Sequence, residues 1–145
     1  MRVAFVRNPF DRVVSAYEFA RPGGTSYVQP IPNPTYQGAQ FETFDVFVRR
    51  WLAHVDLLEE DVVFTPQWRF ICDDRGEVIV DHVGKVENLM ADLAVVEKRL
   101  GTDIRLADLN RTSRKGDYRS YYDDESREIV SQVYRRDIEM FGYRF

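Results

Sequence analysis

The first seventeen residues constrain this chain more than any other stretch. Val3-Ala4-Phe5-Val6 is a wholly apolar run that gives way at once to Arg7-Asn8-Pro9. A short run with no polar alternation is the pattern of a strand buried on both faces, as in a parallel sheet. Asn8 suits a helix N-cap, and Pro9 suits the first helical position, where its missing N–H costs nothing. Phe10, Val13, Val14 and Tyr17 then recur at the spacing of one apolar helix face. Strand, tight turn and helix form a βα unit, which points to an α/β fold. A helix start of this kind aims unpaired N–H groups past the strand end, so the sequence predicts an anion site there.

The remainder fits one domain of 145 residues. With 30% charged and 44% hydrophobic residues, and no apolar run long enough to span a bilayer, the composition excludes a disordered tail and a helical membrane protein. One cysteine, Cys72, excludes an internal disulfide, and the scattered His54, Cys72 and His82 lack metal-ligand spacing, so no metal is expected. A net charge of −4 argues against nucleic-acid binding. The expected setting is the cytoplasm, since the opening residues do not read as a signal peptide.

Residues 21–41 hold most of the prolines and read as a long Pro/Gly-rich loop. A helix is expected from Thr43, with Phe44, Phe47, Val48, Trp51 and Leu52 on one face. Asp56, Glu59, Glu60 and Asp61 form an acidic patch in a connection broken at Pro66. Asp73–Gly76 reads as a turn, Val78, Ile79, Val80 and Val83 as a strand closed by Gly84, and Leu89–Leu100 as a helix ended by Gly101. Residues 102–122 read as irregular, and Asp123-Asp124-Glu125 opens one last helix, stopped by Gly142.

Two basic groups stand out in this acidic chain: Arg2, Arg7 and Arg12, and Arg111, Arg114, Lys115 and Arg119. They suggest a local anion site rather than a polyanion-binding surface. Arg7 ends the strand and Ser15 lies two helical turns on. A guanidinium fork, a hydroxyl and a helix start together suit a phosphate. The same residues also suit an Arg7–Asp11 ion pair with Ser15 facing solvent.

An Arg followed eight positions later by a Ser across a strand–turn–helix resembles the 3′-phosphate-binding motif of PAPS-dependent sulfotransferases. PAPS is 3′-phosphoadenosine 5′-phosphosulfate. Thr65-Pro66-Gln67, Asp81-His82-Val83-Gly84-Lys85-Val86-Glu87-Asn88-Leu89, Asp92-Leu93, Leu109-Asn110, Tyr121-Tyr122, Tyr134, Asp137 and Phe141-Gly142-Tyr143 are similar to the carbohydrate (Golgi-type) branch and its bacterial relatives. The resemblance implies a P-loop-NTPase-like parallel sheet flanked by helices. It implies PAPS as donor, its product 3′-phosphoadenosine 5′-phosphate (PAP), and an acceptor hydroxyl or amine on a carbohydrate or other small molecule. Arg7 and Ser15 resemble the 3′-phosphate ligands, and Arg114-Lys115-Gly116 the segment that completes that site. Val86 stands where relatives often carry a Tyr.

Relatives place a Gly/Thr/Ser phosphosulfate loop, with its strand and helix, before the Arg…Ser motif. Here six residues precede Arg7, so the expectation is a single sulfotransferase domain, 1–145, without its N-terminal P-loop unit. Sheet surface exposed by that loss is expected to favour self-association. The alternative is a catalytically inactive module that binds a 3′-phosphonucleotide or a partner chain. His82, His54 and Glu87 are the base candidates, and none is assigned; His82, on an apolar strand, also suits a structurally satisfied histidine.

Overall fold

Two strands, β1 (Val3–Val6) and β2 (His82–Lys85), pair in parallel, with Val3, Ala4, Phe5 and Val6 opposite His82, Val83, Gly84 and Lys85. The computed structural model describes residues 1–21, 33–59, 62–105 and 116–145. Within these the sheet has two strands, flanked by α1 (Pro9–Ala20), α2 (Phe44–Phe47), α3 (Trp68–Ile71), α4 (Leu89–Leu100), α5 (Asp124–Val133) and α6 (Arg135–Phe141). The architecture is mixed α/β, as the opening βα unit predicts.

The start of α1 follows the sequence closely. The Asn8 side chain accepts the Phe10 N–H at 3.1 Å, and Pro9 occupies the first turn. Phe10, Val13, Val14 and Tyr17 are buried in the main core. The other side of that core is an aromatic cluster: Tyr36, Phe41, Phe44, Phe47, Trp51 and Phe64, with Trp51 5.1 Å from Phe41 and 4.9 Å from Phe64 between ring centroids. Rings of this size dominate core burial.

That cluster corrects the expected loop 21–41. Residues 22–32 lie outside the described residues, but 33–41 form two 3₁₀ turns, Pro34–Gln37 and Ala39–Phe41, that bury Tyr36 and Phe41. Pro34 supplies the turn geometry while the aromatic side chains supply the burial. The helix expected from Thr43 forms, capped by the Thr43 hydroxyl on the Val46 N–H, and widens into one π-helical turn over Val48–Leu52.

The second strand also differs from expectation. Val78 makes only an isolated antiparallel bridge to Cys72 across the Asp73–Gly76 turn, and Val78 and Ile79 are exposed. The parallel strand begins at His82 and holds Gly84 within it. Gly84 is a packing site rather than a terminator, because the Phe5 ring lies over it: a Cβ there would stand 2.5 Å from Phe5 Cε1 and 3.0 Å from Asp92 Cβ. The opposite face of the sheet packs Ala4, Val6 and Val83 against Ile71, Phe141 and Tyr143. Cys72 is buried, its Sγ 3.8 Å from Met140 Sδ.

The single last helix of the sequence reading is two. α5 opens with a capping box between Asp123 and Ser126, and the chain breaks at Tyr134, at φ −106° and ψ 23°. The Tyr134 hydroxyl donates to the Phe64 carbonyl at 2.8 Å, and the break turns Asp137 into the interior. A continuous apolar periodicity conceals such a break because both halves keep a buried face. α4 and α6 end as expected, at Gly101 and Gly142 in left-handed conformation.

Substituting Gly84→Ala forces the Phe5 ring aside, and the expected loss is about 1–3 kcal/mol of stability. Equilibrium urea unfolding measures it, and an unchanged midpoint would contradict the close approach of Phe5.

Candidate functional site

The turn between β1 and α1 is held by side chains from distant segments. Gln67, buried just before α3, accepts the Arg7 N–H through Oε1 at 2.8 Å and donates Nε2–H to the Arg7 carbonyl at 2.8 Å. Glu87, in the 3₁₀ turn after β2, accepts the Asn8 N–H at 2.5 Å and the Tyr143 hydroxyl at 3.0 Å. The Asn8 amide donates to the Arg144 carbonyl at 2.8 Å and to the Tyr118 hydroxyl at 3.4 Å. Behind Gln67 stands Asp137, with no exposed surface, whose two oxygens accept the N–H groups of Gln67 and Trp68 at 2.7 and 2.8 Å. Burial raises the pKa of Asp137, and those two N–H bonds and the nearby Arg12 oppose the rise. The Tyr143 hydroxyl is pushed up by burial first and by its bond to Glu87 second.

This arrangement fills much of the expected anion site at the start of α1 with the protein's own groups. Asn8 gives its N–H to Glu87, Pro9 has none, the Phe10 N–H is capped by Asn8, and the Arg12 N–H bonds the Asn8 carbonyl. A carboxylate from the protein itself already sits where the helix dipole favours negative charge. The remaining candidate donors lie along the side of α1.

That side carries Arg7, Asp11 and Ser15, spaced by four residues. Arg7 Nε donates to Asp11 Oδ2 at 2.6 Å, so the ion pair left open in the sequence reading is present. It uses only one edge of the guanidinium. Among the described residues the two terminal nitrogens of Arg7 and the hydroxyl of half-buried Ser15 make no hydrogen bond. The 3₁₀ turn Tyr118–Tyr121 lies along the same helix: Tyr118 meets Asn8, and the Tyr121 hydroxyl donates to Glu18 at 3.0 Å. Gly116, at φ 108°, precedes that turn in a conformation that favours glycine. Arg114 and Lys115 lie outside the described residues, as does Asn110.

The other candidates separate. Arg12 is half-buried among Tyr134, Asp137 and Arg7: burial lowers its pKa and Arg7 lowers it further, against the opposing effects of Tyr134 and Asp137. Arg2 is exposed and gives its backbone N–H to Asp81. Among the described residues the buried Nε2 of His82 has no hydrogen-bond partner, unlike the satisfied histidine of the sequence reading. His54 is exposed at the end of the π-helical turn. Glu87 spends one carboxylate oxygen on the Asn8 N–H and the other on the Tyr143 hydroxyl. Among the described residues no group of three or more His, Cys, Asp and Glu could hold a metal ion.

The model of the Sulfotransferase family matches residues 1–144. The chain belongs to the sulfotransferase family. No curated protein and no solved structure matches it. Family membership makes the expected chemistry that of a transferase, and it covers the Arg7–Ser15 segment together with the residues that hold it. Local pattern gives Gln67 and Asp137 no role, because the bonds of Gln67 to Arg7 and of Asp137 to Gln67 and Trp68 each span 60 residues or more of chain.

Asp137→Asn replaces one of two acceptor oxygens by an NH₂ group facing an N–H donor. The expected cost is roughly 1–3 kcal/mol, read from the urea midpoint; wild-type stability would show that the carboxylate does not hold Gln67 and Trp68.

Proposed function

We propose that this chain is a PAPS-dependent sulfotransferase domain, and that Arg7 and Ser15 bind the 3′-phosphate of the donor. One observation carries the reading: on one side of α1 the terminal nitrogens of Arg7 and the hydroxyl of Ser15 have no partner among the described residues, while the backbone that bears Arg7 is fully bonded. Held donors with free hydrogen-bonding capacity fit a phosphate, whose oxygens accept charge-assisted bonds from a guanidinium. Asp11 on Nε fixes the fork and leaves its outer edge for the anion. Arg114, Lys115 and Gly116 are proposed to complete the site.

In this reading β1 and β2 belong to a P-loop-NTPase-like parallel sheet. PAPS supplies the sulfuryl group, which passes to a hydroxyl or amine of a carbohydrate or other small acceptor as PAP is released. The residues named here orient the nucleotide, and such transfer depends chiefly on positioning and charge stabilisation. No base is proposed, because Glu87 is committed to Asn8 and Tyr143.

Calorimetric titration with PAP, beside AMP as the ligand lacking the 3′-phosphate, tests the assignment. PAP is expected to bind more tightly than AMP, and Arg7→Ala to weaken PAP by about ten- to a hundredfold while hardly changing AMP. Equal affinities for the two nucleotides in the folded wild-type protein would overturn the reading. Preference for PAP without sulfuryl transfer to any acceptor would instead identify a 3′-phosphonucleotide-binding module.

A further inference from the structure

The peptide group between Arg7 and Asn8 is gripped from both edges: its carbonyl accepts from Gln67 Nε2 at 2.8 Å, and its N–H donates to Glu87 Oε1 at 2.5 Å. We infer that this grip aims Arg7 along α1 toward Ser15, so that Gln67 and Glu87 are positioning residues for the 3′-phosphate. The inference rests on the reading of Arg7 as a 3′-phosphate ligand.

A peptide plane is rigid, and its tilt is set by the soft torsions on either side of it. Here those torsions decide how Arg7, the residue that follows β1, stands relative to α1. Asn8, at φ −50° and ψ 122°, is not helical, so the helical hydrogen-bond ladder does not fix the plane. Two side chains do so instead, and they come from segments that are distant in sequence. Gln67 arrives from the turn before α3 and is itself held through its N–H by Asp137. Glu87 arrives from the turn after β2 and is steadied by the Tyr143 hydroxyl, which lies 3.1 Å from the Val6 carbonyl, one residue before Arg7.

Glu87 is suited to the role for a second reason. Its residue is exposed overall, yet its two oxygens are spent inward on Asn8 and Tyr143. A negative charge near a phosphate site weakens anion binding unless it does something else there. Placed on the Asn8 N–H, it completes the start of α1 and denies that position to a ligand anion. The phosphate is thereby left with the Arg7–Ser15 side.

Three substitutions separate reach from charge. Glu87→Gln keeps the length and an acceptor for Asn8 but loses the charge. Glu87→Asp keeps the charge but falls one methylene short, and Glu87→Ala removes both. Each is titrated with PAP and with AMP, and its thermal midpoint is recorded. The expected result is that the PAP-over-AMP affinity ratio falls at most about threefold for Gln but about tenfold or more for Asp and Ala. A purely structural or electrostatic role predicts a different order: Asp, which keeps the charge, would preserve the ratio better than Gln, or all three ratios would stay at the wild-type value while only the midpoints move. Either result from folded variants overturns the inference. If Glu87→Ala does not fold, the comparison of Gln with Asp decides alone. A wild-type protein without preference for PAP would overturn the functional reading, whereas a wild-type preference that survives in Glu87→Asp overturns only the positioning role.

Discussion

A carboxylate sealed from water is tolerable only where hydrogen bonds replace its hydration, and Asp137 meets that condition with two backbone N–H groups on its two oxygens. Those N–H groups belong to Gln67 and Trp68, so the charge fixes the chain just before α3. Gln67 in turn bonds both backbone groups of Arg7, as a neighbouring strand would. The break between α5 and α6, the turn before α3 and the end of β1 thus form one connected unit. Its outcome is a guanidinium on a backbone that has little freedom to turn.

The opposite side of that unit is apolar and aromatic. Tyr17 on α1 packs 5.2 Å from Phe47 and 5.5 Å from Phe44, and the same cluster reaches Trp51 and Phe64. α1 is therefore clamped along its buried face, and half-buried Asp11 and Ser15 on its other side lie next to Arg7, which precedes the helix. The Tyr122 hydroxyl, donating to the Phe10 carbonyl at 2.8 Å, ties the segment after Gly116 to the same helix. A rigid helix with a polar stripe is what a positioned phosphate site requires, since misplacement of a donor costs more than its absence from a contact tally suggests.

Much of this was legible in the sequence. Asn8-Pro9 and the spacing of Phe10, Val13, Val14 and Tyr17 announce α1, and the Arg7–Ser15 interval marks the stripe, because these are local signals with a fixed helical period. The start of α1 was only partly legible, for a physical reason. An N-cap pattern implies free N–H groups, but only the tertiary fold brings Glu87 to consume one of them. Gly84 misled similarly, since a glycine that makes room for Phe5 looks in one dimension like one that ends a strand. The break at Tyr134 and the inward turn of Asp137 leave no periodic trace, and Tyr36 and Phe41 hid their burial in a stretch whose prolines advertised a loop.

The most direct test of the account is a crystal structure of the chain with PAP. The 3′-phosphate is expected within hydrogen-bonding distance of the terminal nitrogens of Arg7 and the hydroxyl of Ser15, with Glu87 still bonded to the Asn8 N–H. A phosphate seated on the N-terminus of α1 in place of Glu87, or one that leaves Arg7 paired with Asp11 alone, would contradict it.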